Sequence, residues 1–281
     1  MTYYTILALL FGGLGLSALG FYFLRNLKRD EQLQRIRAIP FKEEHRALLM
    51  KTPHYNNLSS KDKEKIERSI IEFAYTKEFI GVGLEVSEEM KVIIAFYACL
   101  LLIHVKTDHC YETLHTILIY PSAVMVEQIS SQGGIYAQEQ FMIDGQSAND
   151  TVVIIWDEAQ QEAYHLRHNN VIIHEFAHEI DFMTGELDGV PPLEKSKYHA
   201  WTHRLSKEFS ALHHRLFKEA SLGKYSLLGE YAATNEAEFF AVVTERFFES
   251  PHSLHRHFPE LYDTLQSFYK IDMLELVQEK N

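Results

Sequence analysis

The chain has 281 residues, 46% of them apolar, enough for a sizeable buried core in one large domain or two modest ones. Its net charge of −12 argues against a general nucleic-acid binder, which carries a basic footprint. Its two cysteines, Cys99 and Cys110, lack a CxxC pairing, which argues against a disulfide scaffold or a thiolate metal site and fits a reducing compartment.

Residues 4–24 carry no charge and are aromatic at both ends. As a helix they would span about 30 Å, the thickness of a bilayer core, with aromatic residues at the interfaces. A cleaved signal peptide is the competing reading. It requires basic residues before the apolar stretch, whereas Arg25, Lys28 and Arg29 follow it. The expectation is a single-pass anchor at 4–24, in a bacterial inner membrane, with the remainder on the cytoplasmic side by the positive-inside rule. A charged juxtamembrane linker, 25–40, then ends at Pro40.

Residues 41–281 read as one domain, helical over 41–110 and catalytic over 111–281. Ser59-Ser60-Lys61-Asp62 looks like a helix start, followed by Ile66, Ile70, Ile71 and Phe73 at helical spacing. Ser87-Glu88-Glu89-Met90 starts another helix, whose apolar run holds Cys99 and is too short for a second membrane span. Residues 115–127 are rich in β-formers and broken by Pro121, and 129–150 form a loop or hairpin with Gly133-Gly134 and Gly145. Thr151 to Trp156 reads as a strand, either in the core or at an edge where it could pair with an extended peptide. His168-Asn169-Asn170 marks the start of a helix running to about Met183, which Gly185 and Gly189-Val190-Pro191-Pro192 end; several helices follow.

That helix carries His174-Glu175-Phe176-Ala177-His178. Residues four apart share a helix face, so His174 and His178 can offer two imidazoles to one cation. Imidazole suits zinc, which takes three protein ligands and one water in catalytic sites. Glu175 sits where a general base can take a proton from that water and return it to a leaving amine. The competing reading, two surface histidines, fits poorly with Val171-Ile172-Ile173, Phe176, Ala177 and Ile180 around them. A third histidine soon after the motif is absent, since Asp181 and Thr184 stand where that variant has its glycine and histidine. The third ligand is therefore expected from a later helix, where Glu236, Glu238 and Glu245 are available. Apolar flanks favour Glu238. Asn235-x-x-Glu238 also fits a capping box, and that reading stays open. Asp181 lies on the face of both histidines and could accept a second imidazole N–H, or be a plain polar residue at the helix end; Glu245 is a weaker candidate for the same task. His203, His213, His214, His252, His255, His257, Lys224 and Arg246 read as surface residues.

His174-Glu175-Phe176-Ala177-His178-x-Ile180-Asp181, Tyr231-Ala232-Ala233-Thr234-Asn235-x-Ala237-Glu238-x-Phe240-Ala241-Val242 and Ile94-Ala95-x-x-Ala98-Cys99-Leu100-Leu101 together resemble the Mlc titration factor A family of bacterial zinc peptidases. The catalytic part of that family is similar to the anthrax lethal factor metalloprotease domain. The likeness covers roughly residues 60–270. It implies an α+β, mostly helical, zincin-like fold of gluzincin type with a small mixed β-sheet, preceded here by the anchor. It implies one zinc per chain on His174, His178 and Glu238, with Glu175 as general base. It also gives Tyr231, otherwise a packing residue, the task of donating to the developing oxyanion. The activity implied is a zinc metallopeptidase, in the form of an aminopeptidase with a regulatory role, acting on a peptide or protein substrate. The alternative is a binding protein that sequesters a partner such as a transcriptional repressor. The family's best-known cytoplasmic members lack such an anchor, which puts the repressor partnership in doubt. A zinc-stabilised structural domain is a third reading, disfavoured by an intact general base.

Overall fold

Local capping chemistry sets the main helix starts. Ser59 Oγ accepts from the Asp62 N–H at 3.1 Å and Ser87 Oγ from that of Met90 at 3.2 Å. Asn170 Oδ1 accepts from Ile173 at 3.2 Å and Asn235 Oδ1 from Glu238 at 2.9 Å. Each such cap stabilises its helix by about 1 kcal/mol. The computed structural model describes residues 3–106, 111–123, 150–166, 169–218 and 221–277, without the side chains of 3–10, 12, 14 and 18. Gly133, Gly134, Gly145, Cys110 and His168 lie outside the described residues.

The chain divides into two units, residues 1–40 and 41–281. The first is built on α1 (Tyr3–Arg37), a single helix of 35 residues. The expected anchor, 4–24, falls within it, but many of its side chains lie outside the described set. Among the described residues no helix is long and apolar enough to cross a membrane.

In the second unit α2 (Glu43–Leu49), α3 (Pro53–Asn57) and α4 (Ser60–Thr76) precede β1 (Glu78–Gly81). Next come α5 (Glu88–Leu102), β2 (Thr116–Tyr120), β3 (Thr151–Ile155) and α6 (Trp156–Ala163). The chain continues with α7 (Val171–Phe182), α8 (Lys195–Phe217), α9 (Glu236–Glu249), α10 (Pro251–His257), α11 (Pro259–Tyr269) and α12 (Met273–Leu276). Among the described residues helix dominates, with one small sheet, so the fold is α+β and mostly helical. The described sheet is three-stranded in the order β1-β2-β3. Both pairings are parallel, with Glu78 beside Thr116 and Thr116 beside Thr151. The expectation is a mixed sheet; among the described residues both pairings are parallel. Parallel neighbours need a long crossover, and α5 provides it between β1 and β2.

Helix α5 is the centre of the core. Every residue from Val92 to Leu102 is buried, including Cys99. This is why its apolar run shows no amphipathic stripe; a helix covered on all sides needs none. Helix α4 lays its Ile66, Ile70 and Phe73 face on α5, and α7 packs against α5, β3 and α9. Trp156, expected to end the strand, instead opens α6 directly after β3. Among the described residues β3 lies at a sheet edge, with Val152 and Ile154 facing the core.

Candidate metal centre

Helix α7 is oriented by its apolar face. Ile172, Ile173, Phe176, Ala177 and Ile180 are fully buried. Phe176 packs edge-on against Phe73 and Tyr111, with ring centroids 5.7 and 5.0 Å away. Burying such a ring contributes roughly 1.5–3 kcal/mol. The anchoring leaves the opposite edge, with His174 and His178, facing α9, and their rings lie 4.9 Å apart at 79°.

Helix α9 brings Glu238 to the same point. Its carboxylate Oε2 is 3.0 Å from His174 Nε2 and 3.4 Å from His178 Nε2, and the two Nε2 atoms are 3.2 Å apart. The capping-box alternative is thereby resolved. Asn235 does cap the Glu238 N–H, but the Glu238 side chain turns to the histidines. Helix start and carboxylate placement are served by the same residue.

This donor set fits a zinc-sized cation. Four-coordinate zinc with bonds of about 2.0–2.1 Å implies donor–donor separations of about 3.3 Å along the tetrahedron's edges. The three observed separations bracket that value. The hydrogen-bond inventory agrees. With Nδ1 of a neutral His174 donating to Glu245, its Nε2 carries only a lone pair, which then faces a carboxylate oxygen and a second imidazole nitrogen. Such a cluster is favourable only around positive charge, either a bound cation or, in its place, a proton on His174. Burial lowers the His174 imidazole, but its bonds to Glu238 and Glu245 outweigh this and carry it up to about 10. Burial raises Glu238, and the two histidines overcome this to hold it well below the usual carboxylate range.

Glu175, beside the cluster, is raised by burial, with His174 and His178 pulling the other way. Tyr231 sits in a 3-10 turn, Tyr231–Ala233, that leads into α9. Its ring lies 5.9 Å from that of His174 and is half exposed. Burial and then Glu238 push its phenol up, so it stays a protonated donor.

Asp181 is placed differently from expectation. It is fully buried, but Oδ2 accepts from the Gly189 N–H at 2.8 Å rather than from an imidazole. The Gly189 carbonyl in turn accepts from Trp201 Nε1 at 2.9 Å. Gly189 has φ +76°, and a Cβ there would come within 2.7 Å of the Glu236 carbonyl. Asp181 therefore braces the loop after α7 against the first turn of α9. Among the described residues, His178 Nδ1 and Asp181 Oδ1 are buried without a hydrogen-bond partner. The imidazole partner is Glu245, whose Oε1 accepts from His174 Nδ1 at 2.7 Å. The signal for it was its position two helical turns beyond Glu238. Glu236, the remaining carboxylate considered, lies exposed.

Two surface assignments also change. Arg246 is buried, donating to the Leu227 carbonyl at 2.7 Å with Nη1 3.8 Å from Glu245 Oε2. His252 is half-buried and bonds the Val277 carbonyl at 2.7 Å. His203, His213, His214, His255 and His257 are exposed as expected. Sequence reasoning missed Asn170 as more than a cap, together with Glu249 and His54, all fully or almost fully buried next to this centre or behind it.

Comparison with known proteins adds four findings. A family model described as glucose-regulated metallo-peptidase M90 matches residues 24–270, beginning where the uncharged N-terminal stretch ends. An uncharacterized protein of Synechocystis is 34% identical over 232 residues, covering 79% of this chain and 81% of its own. Mlc titration factor A of Serratia proteamaculans is 29% identical over 228 residues, covering 79% of this chain and 86% of its own. The protein of the same name from Yersinia pestis is 32% identical over 166 residues, 58% of this chain and 60% of its own.

Proposed function

Because the chain belongs to the M90 family of glucose-regulated metallopeptidases, we propose that it hydrolyses peptide bonds with one zinc ion held by His174, His178 and Glu238. The observation that supports this most strongly is that one donor atom from each of these residues lies within 4.8 Å of the others. Zinc held there would polarise the scissile carbonyl and acidify a water. Glu175, a carboxylate whose burial raises its proton affinity, would accept a proton from the attacking water and return it to the leaving amine. Tyr231, protonated and half exposed, donates to the oxygen on which charge develops. Glu245 holds His174 in the tautomer that leaves Nε2 free. The test uses the full chain in detergent with aminoacyl anilides and internally quenched peptides, which separate aminopeptidase from endopeptidase action. Hydrolysis that chelation abolishes and zinc restores supports the reading; a zinc-loaded protein inert on every substrate overturns it.

The reading extends to location. In α1 the side chains of Phe21, Tyr22, Phe23 and Leu24 are all more than half exposed. Four consecutive residues cover the whole circumference of a helix, so this end has no polar side to turn to water. That supports a membrane anchor over 4–24, and Arg25, Lys28 and Arg29 directly after it favour a catalytic unit on the cytoplasmic face. Resistance to carbonate extraction, together with protease accessibility only from the cytoplasmic side, is the expected result; extraction into the soluble fraction contradicts it.

A second reading rests on the relatives' name. Mlc titration factors are named for titrating Mlc, and this chain would likewise act by binding a protein partner. Glu175→Gln separates the two: loss of the cellular effect favours catalysis, retention favours binding.

A further inference from the structure

The metal-bearing helix is registered against α9 by a chain of buried polar groups that continues past Glu245. Glu238, Glu245 and Glu249 stand at i, i+7 and i+11 on α9, spacings that keep them on one helix face. Each touches α7 or its cap. Glu238 meets the two imidazoles. Glu245 accepts from His174 Nδ1 through Oε1 and from the Asn170 backbone N–H through Oε2, at 2.7 and 3.0 Å. Glu249 accepts from the Asn170 side-chain amide Nδ2 at 2.8 Å. Asn170 is fully buried and Glu249 nearly so.

Asn170 thus uses every polar group it has on one junction. Its Oδ1 caps Ile173, its carbonyl accepts from the His174 N–H at 3.0 Å, and its two donors reach two carboxylates of α9. A serine or aspartate would cap the helix as well. A carboxylate has no hydrogen to donate to Glu249, and a serine hydroxyl ends one bond short of the place that Nδ2 reaches, so capping alone does not account for an amide here. The buried carboxylates also lie at the positive end of the α7 dipole, where negative charge is favoured.

We propose that Asn170 and Glu249 are positioning residues for the metal centre: their bond fixes the sliding register of α7 on α9, so that His174 and His178 converge with Glu238. This rests on the reading of His174, His178 and Glu238 as metal ligands. It assigns to the far end of α9 a role in metal affinity that no residue there could exert by contact.

The test exploits a donor–acceptor swap in the full chain in detergent. Asn170→Asp keeps a capping oxygen but sets two carboxylates against each other. Asn170→Asp combined with Glu249→Gln restores the bond with the donor on α9. Zinc affinity is read by chelator competition, and ligand geometry by the visible absorption of the cobalt-substituted protein. Asn170→Asp is expected to weaken zinc about 10-fold or more and to alter the cobalt bands, with the double variant recovering both. Asn170→Ser, which keeps the cap and adds no charge, is expected to show the smaller loss of a missing bond. Wild-type zinc affinity in both Asn170→Asp and Asn170→Ser overturns the proposal, as does a double variant no better than Asn170→Asp. If Asn170→Asp fails to fold, Asn170→Ser decides by the same readings. His174→Ala separates the underlying reading: if it also retains zinc, the metal-ligand assignment itself has failed.

Discussion

Replacing Glu245 by glutamine tests how His174 is held. In the native site one carboxylate serves two donors, His174 Nδ1–H at 2.7 Å and the Asn170 N–H at 3.0 Å. A glutamine of the same length has one accepting oxygen, and its NH2 must face one of those donors. One of the two bonds is therefore lost and the other loses its charge. A hydrogen bond to a charged group contributes about 1.5–3 kcal/mol, and each 1.4 kcal/mol is a tenfold change. If most of that loss falls on His174, zinc binding weakens by about 10–100-fold, the range usual for partners of metal-bound histidines. Chelator competition against the full chain in detergent measures it, and a thermal melt of the metal-free protein shows how much is stability alone. A Glu245→Gln protein whose zinc affinity stays within twofold of wild type would refute the argument, because the 2.7 Å bond would then be doing nothing for the metal.

Other consequences can be checked in the same preparations. Glu175→Gln should keep full zinc content and lose hydrolysis by at least the 10²–10⁴-fold typical of a missing general base; retained activity removes Glu175 from the chemistry. Tyr231→Phe should lower kcat about 10²–10³-fold, the effect of deleting one oxyanion donor, with zinc affinity unchanged. Buried His54 is held down to about 4 by burial, with its bond to the Phe248 carbonyl only partly opposing this. The unfolded chain takes up that proton near pH 6.5 and the folded one only near 4, so stability should fall as pH drops through this window. The shift corresponds to about 3 kcal/mol in all. Urea melts of wild type and His54→Gln across pH 4–7 measure it, and equal slopes would contradict the assignment.

Much of this site was legible because it rests on local rules. Ser59, Ser87, Asn170 and Asn235 announce helix starts through their own side-chain bonds, and the four-residue spacing of His174 and His178 needs only helical geometry. Glu238 could be singled out by its apolar flanks, although its competing role as a capping residue required the folded carboxylate to be seen turning to the imidazoles. What failed depended on how helices cross. Asp181 and Glu245 both lie on suitable faces of their helices, and only the packing of α7 on α9 decides that Glu245 reaches His174 while Asp181 reaches Gly189. Arg246 reads as a surface charge by type, yet α9 is buried along nearly its whole length and carries the guanidinium inside with it. Trp156 continues a β-forming run in sequence, but the chain turns into α6 at that residue with no glycine or proline to mark the change.

The most direct test of the central claim is the metal content and metal environment of the purified full chain. The account predicts one zinc per chain, with X-ray absorption showing nitrogen and oxygen neighbours at about 2.0–2.2 Å and no sulfur. Each of His174→Ala, His178→Ala and Glu238→Ala should lose the metal while retaining helix content. Zinc retained undiminished in all three, or a sulfur neighbour in the wild type, would contradict it.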